Sequence, residues 1–188
     1  MKRIVSLTCA TLLAGVTTAL AQGGMAPPKD MAEAIQRAHA GAFRNIVESA
    51  EKMPEADYTF VGAKGIRTFG GFIGHVINAS YNNCARAKGE PNPNKEDFEK
   101  TPPGKAQLVA AVKAAQAYCD AVYNAQTSAS INEMVPQGQA QTPRGQILLG
   151  NIAHNNNEYG QIVILLRLKG IVPPTTERAS QGRRGGLE

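Results

Sequence analysis

Two side chains able to bind a metal ion, His154 and Glu158, stand four residues apart in an otherwise apolar helical pattern. At about 100° per residue they point in the same direction. Because a helix contributes two ligands to one ion in this way, one further protein ligand would complete an open, catalytic-type metal site. The five consecutive polar residues from 154 to 158 are unfavourable for a helix that only packs, since asparagine is a weak helix former and buried polar groups need partners.

The chain has two other histidines, His39 and His75. His75 lies at the shoulder of an apolar stripe, about 100° from its centre, so a metal ligand and an ordinary boundary histidine both stay open. His39 lies on the apolar face of the preceding helical segment. If these two segments form an antiparallel hairpin, the two histidines differ in height by about 10 Å. We therefore expect His39 to be a core or rim histidine.

Four amphipathic helical segments would position these residues. Each has recognisable end signals, such as Asp30 with Glu33 as a capping box and Gly89 or Gly170 as a stop. No segment alternates with a period of two for long enough to predict a sheet. The sequence therefore predicts an all-α four-helix bundle. The helices are expected from Asp30 to Pro54, from about Thr68 to Lys88, from Thr101 to about Gln126, and from Thr142 to Lys169.

The 15 residues from Gly89 to Pro103 form a long connection between the second and third helices. At about 3.3 Å per residue they could span a helix of about 30 Å and return the chain to the same end, so these helices can run parallel. Cys84 and Cys119 would then face inward at similar heights and could pair. In an antiparallel arrangement they would be about 15 Å apart, beyond disulfide reach. Two buried free thiols are the alternative.

The N-terminus has the pattern of a secretory leader. Lys2 and Arg3 precede an apolar stretch, and Ala19-Leu20-Ala21 forms a small-x-small cleavage site before Gln22. A short membrane anchor is the alternative, but the stretch is threonine-rich and shorter than the roughly 20 residues that a span prefers. We expect a periplasmic or secreted protein without a stable membrane anchor after cleavage, and we expect Cys9 to be lost with the leader.

The charge pattern argues against nucleic acid as a partner. The formal net charge of +5 at pH 7 falls to +3 when Lys2 and Arg3 are removed, and the basic residues are scattered. The one small basic cluster, Arg178, Arg183 and Arg184, lies in a glycine-rich tail.

The chain is thus expected to have three parts. They are a leader over 1–21, a bundle over 22–174 and a flexible basic tail over 175–188. A small molecule is the expected partner, and a homodimer stays open.

Several segments resemble the DinB/YfiT-like family in its exported branch, over nearly the whole mature chain. The resemblance is carried by Met53–Phe60, Arg67–Gly70, Gly74–Val76, His154–Ile162 and Leu166–Pro174. It implies a metal-binding four-helix bundle of up-down-down-up order, in which helices two and three are parallel.

The family motif supplies one histidine from the second helix and two, four residues apart, from the fourth. His75 and His154 match, but Glu158 stands where the family has its third histidine. Glutamate is a competent ligand for Zn²⁺. Three interpretations of Glu158 stay open: a direct ligand, an acceptor that orients His154 or a water molecule, and a solvated carboxylate in a metal-free protein. Gln161 and Tyr159 are candidates for supporting or substrate contacts.

Two classes of function follow. The first is a metal-dependent hydrolase or transferase acting on a small molecule, with zinc favoured and iron, nickel or manganese as alternatives. Thiol transfer is disfavoured because an exported protein would lack a cytosolic thiol cofactor. The second class is a non-catalytic exported helical bundle, a binding or stress protein with a degenerate or vacant metal site.

Overall fold

The computed structural model describes residues 26–184 of the chain. The expected leader over 1–21, with Cys9, lies outside the described residues. Within 26–184, none of the helices is both long and apolar enough to cross a membrane. The elements are α1 Met31–Lys52, α2 Phe69–Lys88, α3 Lys105–Asn124, β1 Met134–Gln137, β2 Ala140–Pro143, α4 Arg144–Leu168 and α5 Pro174–Arg184, with short 3₁₀ turns at Glu55–Asp57 and Ser130–Asn132.

The predicted caps form at three helix ends. Asp30 Oδ1 accepts a hydrogen bond from the Glu33 backbone N–H at 2.8 Å, and Thr68 Oγ1 accepts from that of Gly71 at 2.9 Å. Gly89 ends α2 in the left-handed conformation, with φ of 76°. The third helix begins at Lys105 rather than at Thr101, because a residue that precedes proline is disfavoured in helical conformation.

Interhelical contacts define the helix directions. His39 of α1 contacts Asp120 near the end of α3, and Glu51 near the end of α1 pairs with Lys113 in the first half of α3, so these helices are antiparallel. A disulfide bond joins Cys84 to Cys119 late in α2 and α3.

At the start of the same two helices, Gly70 lies close to Leu108, so α2 and α3 are parallel. Helix α4 runs antiparallel to α2, because Arg144 at its start binds the Ala87 carbonyl near the end of α2. The order is therefore up-down-down-up, as the resemblance implied.

The core lies where the four long helices meet. Its members are large apolar side chains at helical spacing, together with Tyr123 and Tyr58, whose burial strongly raises the pKa of their hydroxyls. The largest side chains with almost no exposure include Phe43, Ile46, Phe69, Ile73, Ile77, Leu108, Leu148, Ile162 and Leu165. This core holds α2 and α4 against each other along the face that carries the polar run.

A small antiparallel hairpin precedes α4, where we expected no sheet. Strands β1 and β2 pair Met134 with Pro143 and Gln137 with Ala140. Gly138 has φ of 62° at the first central position of the two-residue turn, which suits a type II′ hairpin. Four-residue strands are too short to show an alternating pattern, which explains the missed prediction.

Residues 175–184 of the expected tail are helical. They belong to α5, which begins at Pro174 because proline suits the first helical position. Glu177 pairs with Lys52 at 2.9 Å, and Arg178 binds Glu48 of α1. Charged contacts that are distant in sequence therefore hold this helix against the bundle.

Candidate metal centre

Two antiparallel helices bring three potential ligands together: His75 from α2, and His154 and Glu158 from α4. The Nε2 atoms of the two histidines are 3.0 Å apart, and each lies 3.8 Å from Glu158 Oε1. The ligand atoms that the three residues offer all lie within 4.8 Å of one another. Atoms about 2.0–2.1 Å from a tetrahedral Zn²⁺ would be about 3.3 Å apart, so the spacing fits one ion after small adjustments.

The burial of Glu158 excludes one of the three interpretations of this residue, that of a solvated carboxylate. Its exposure is 7%, and its Oε2 has no hydrogen-bond partner among the described residues. The solvated carboxylate is therefore wrong. Since a buried carboxylate oxygen without a partner is costly, this atom indicates that a cation or a donor belongs beside it.

Hydrogen bonds at Nδ1 orient the rings of both histidines, so that their Nε2 atoms face each other and Glu158. His75 Nδ1 lies 2.6 Å from Glu99 Oε2, and His154 Nδ1 lies 3.1 Å from Asn155 Oδ1. An oxygen acceptor at Nδ1 favours the tautomer that carries its proton there, which leaves a lone pair on Nε2. Two such lone pairs 3.0 Å apart repel each other unless a proton or a cation lies between them. The donor set therefore fits a divalent ion.

Two buried asparagines of α4, Asn151 and Asn155, have hydrogen-bond partners on α3 and α2. The Asn155 amide N–H donates to Ser80 Oγ at 3.3 Å, and the Asn151 amide N–H donates to the Tyr123 hydroxyl at 3.3 Å. Asn155 contacts both His154 and Ser80. It therefore helps to orient His154, whereas Asn156 and Asn157 are exposed to solvent and need no buried partner.

Sequence reasoning missed Glu99 and Arg67. Glu99 lies in the connection between α2 and α3, and its Oε1 accepts a hydrogen bond from Arg67 Nε at 2.7 Å. Partial burial would raise the pKa of Glu99, but the hydrogen bonds from His75 and Arg67 outweigh it and hold the pKa below its usual value. The sequence did contain one sign of this role for Glu99. It is an acidic residue in the connection that must return along α2, and His75 lies in the first half of that helix.

An open cleft of about 520 Å³ lies beside the centre. Glu158 and Glu99 form part of its lining. The other lining residues are Gly65, Ile66, Arg67, Phe72, Asn157 and Gln161. Gln161 therefore stays a candidate for a supporting or substrate contact. Tyr159 is not among the lining residues, and its hydroxyl lies 2.9 Å from Thr175 Oγ1 at the start of α5.

His39 lies elsewhere in the bundle, as expected for a core histidine. It is buried, its ring stacks on Tyr123 with centroids 3.7 Å apart, and its Nε2 lies 2.9 Å from Asp120 Oδ1. Of the three histidines, only His75 and His154 belong to the centre.

An up-down-down-up bundle whose second and fourth helices place two histidines and a glutamate around one point defines a class of helical protein with a potential metal centre. Residues 38–162 match the family model of the DinB superfamily, so the chain belongs to that superfamily. The prediction of DinB-family membership is confirmed, whereas its exported branch stays a prediction.

Two solved structures share the fold. A DinB-like protein from Bacillus cereus has a TM-score of 0.65 and 17% identity, over 76% of this chain and 95% of that one. A DinB-like protein from Bacillus subtilis has a TM-score of 0.61 and 16% identity, over 74% of this chain and 94% of that one. No curated protein matches the chain.

Proposed function

We propose that this DinB-superfamily member is an exported metalloprotein that hydrolyses a small molecule, or transfers a group from it, at the centre formed by His75, His154 and Glu158. The observation that carries the proposal is the convergence of these ligand atoms within 4.8 Å beside an open cleft. The buried Oε2 of Glu158, which has no partner among the described residues, supports it. Three protein ligands with a further position open to the cleft are typical of catalytic rather than structural sites.

The donor set favours zinc. Two imidazole nitrogens and one carboxylate oxygen form a set found in catalytic zinc sites, whereas Fe²⁺, Mn²⁺ and Ni²⁺ accept the same ligands. Compared with three histidines, the carboxylate of Glu158 lowers the net charge of the ligated centre. We propose Zn²⁺ as the ion of this centre and keep Fe²⁺, Mn²⁺ and Ni²⁺ as alternatives.

The cleft supplies binding and orientation. A bound divalent ion would act as a Lewis acid toward a substrate group or activate water for attack. Phe72 offers an apolar wall, while the side-chain amides of Asn157 and Gln161 can hydrogen-bond a polar substrate beside Glu158. These contacts suit a small molecule with both apolar and polar groups.

Export is supported by the leader pattern and by the Cys84–Cys119 disulfide bond. Disulfide bonds persist in oxidising compartments such as the periplasm. Because low-molecular-weight thiol cofactors belong to reducing compartments, we favour hydrolysis over thiol transfer.

The test begins with metal content. The protein is expressed with its own leader, purified without chelator, and analysed for Zn, Fe, Mn and Ni per chain beside His154→Ala and Glu158→Gln. We expect one equivalent of metal in the wild type and a large loss in both variants. Glu90→Gln is the matched control, because this exposed carboxylate pairs with Lys88 far from the centre and should leave the metal content unchanged.

Catalysis is then tested with aryl esters, anilides and phosphoesters as model substrates. Hydrolysis that needs the metal and disappears in both variants supports the enzyme. If the wild type also carries no metal above background, and none of the four ions raises its melting temperature, the metalloenzyme is rejected and a non-catalytic exported bundle becomes the better account.

A further inference from the structure

The connection between α2 and α3 passes directly over α2 at Gly74. A Cβ atom built on Gly74 would lie 2.1 Å from the Phe98 carbonyl oxygen and 2.8 Å from the Glu99 backbone nitrogen. No larger residue fits there without displacing the backbone of the connection. The absence of a side chain at 74 therefore lets Glu99 approach His75, the next residue of α2.

The same connection is anchored on α2 independently of His75. The Asn78 amide N–H donates to Asp97 Oδ1 at 2.9 Å, and Asn78 Oδ1 accepts from the Phe98 backbone N–H at 3.4 Å. Asp97 Oδ1 also accepts from the backbone N–H of Glu99 at 3.3 Å. These bonds hold the backbone of Glu99 in place, so its side chain starts from an ordered position.

Each carboxylate oxygen of Glu99 contacts a different side chain. Oε2 lies 2.6 Å from His75 Nδ1, and Oε1 accepts from Arg67 Nε at 2.7 Å. Arg67 Nη2 lies 3.3 Å from the same His75 Nδ1. Because an arginine nitrogen only donates and the carboxylate only accepts, the shorter contact with Glu99 makes Nδ1 the donor.

We propose that Glu99 is a positioning residue for the metal centre, holding His75 as its Nδ1–H tautomer with Nε2 directed at His154 and Glu158, while Arg67 holds Glu99. The effect on metal affinity rests on the function proposed above, whereas the effect on the His75 tautomer does not. A carboxylate behind a ligating histidine fixes the ring and raises its basicity, and losing such a partner typically costs about 10- to 100-fold in metal affinity.

The first experiment measures the tautomer in metal-free protein. The side-chain nitrogen shifts of ¹⁵N-labelled wild type near pH 8 should show His75 with its proton on Nδ1. Glu99→Ala should move the proton population toward Nε2. Glu96→Ala is the matched control, since this exposed residue of the same connection hydrogen-bonds Asn94 through its backbone.

The second experiment measures zinc affinity by competition with a chromogenic chelator. We expect Glu99→Ala to weaken binding about 10- to 100-fold, Glu99→Gln to weaken it less, and Glu96→Ala to leave it unchanged. Melting temperatures of the metal-free proteins identify any variant that fails to fold. If Glu99→Ala does so, Glu99→Gln carries the test.

Two results would overturn the proposal: a His75 tautomer that is the same with and without the Glu99 carboxylate, or an unchanged zinc affinity in a folded Glu99 variant. If the wild type binds none of the four ions, the proposed function fails, and the tautomer measurement alone decides the role of Glu99. The failures of the two proposals are thus distinguishable.

Discussion

Cys84 of α2 and Cys119 of α3 are joined by a disulfide bond, with their Cα atoms 5.5 Å apart, between two helices that run in the same direction. The cysteines are separated by 35 residues, and the intervening chain includes the connection that carries Glu99. Both residues are fully buried. The disulfide bond therefore fixes how far α2 and α3 are shifted along each other. These are the two helices that the connection with Glu99 joins.

Removing this bond should destabilise the bundle substantially. In the chain-entropy account, a closed loop of this length contributes about 4 kcal/mol through the unfolded state. We expect Cys84→Ala combined with Cys119→Ala to lower the free energy of unfolding by up to about that amount, as measured by urea denaturation. Thiol titration of the denatured, unreduced wild type without its leader should find no free thiol, and two thiols would contradict the bridge.

Stability should depend on pH through His39. Burial lowers the pKa of this imidazole, although the hydrogen bond from Nε2 to Asp120 opposes the shift. Nδ1 has no partner among the described residues, so a second ring proton would be buried without an acceptor. Below about pH 6.5 the unfolded chain takes up a proton that the folded chain resists, and stability falls as pH drops toward the folded pKa.

The measurement compares urea denaturation at pH 7.5 and pH 5.5 for the wild type and His39→Gln, whose amide can still donate to Asp120. We expect a smaller loss of stability in the variant at the lower pH. An equal loss in both proteins would assign the pH dependence to other groups.

The carboxylate of Glu158 should lower the stability of the metal-free protein and raise its affinity for zinc. Its buried Oε2 lacks a partner among the described residues, and an unsatisfied buried polar atom costs about 1–3 kcal/mol. We expect Glu158→Gln to leave the metal-free protein no less stable than the wild type. In the presence of zinc, a tenfold or greater loss of affinity would remove about 1.4 kcal/mol or more of metal-induced stabilisation. Thermal melts with and without zinc check both effects, and a variant that keeps the full gain would exclude Glu158 as a ligand.

Cleavage of the leader is a separate prediction. We expect protein secreted by a bacterial host to begin at Gln22, because Ala19-Leu20-Ala21 provides the small residues that signal peptidase requires. Intact mass and N-terminal sequencing of the periplasmic fraction check this. A chain that keeps its first 21 residues in the membrane fraction would favour the anchor instead.

Much of the fold and part of the site could be predicted from local pattern. The helical period, the capping box at Asp30 and the glycine stop at Gly89 located the ends of α1 and α2 to within one or two residues. The four-residue spacing of His154 and Glu158 placed them on one side of α4. Family resemblance then selected His75 as a ligand and implied the helix order, both of which the residues themselves had left open.

Sequence by itself therefore determined the four long helices and the placement of His154 and Glu158 on one side of α4, because those properties depend on residues within one or two turns of each other. Tertiary structure alone decided that Glu158 is buried, that Glu99 lies behind His75, and that residues 174–184 pack on α1 as a helix. Each of these facts depends on contacts between distant parts of the chain. Such contacts are set by how the helices pack and where the connections cross them, and neither leaves a periodic signal in the sequence.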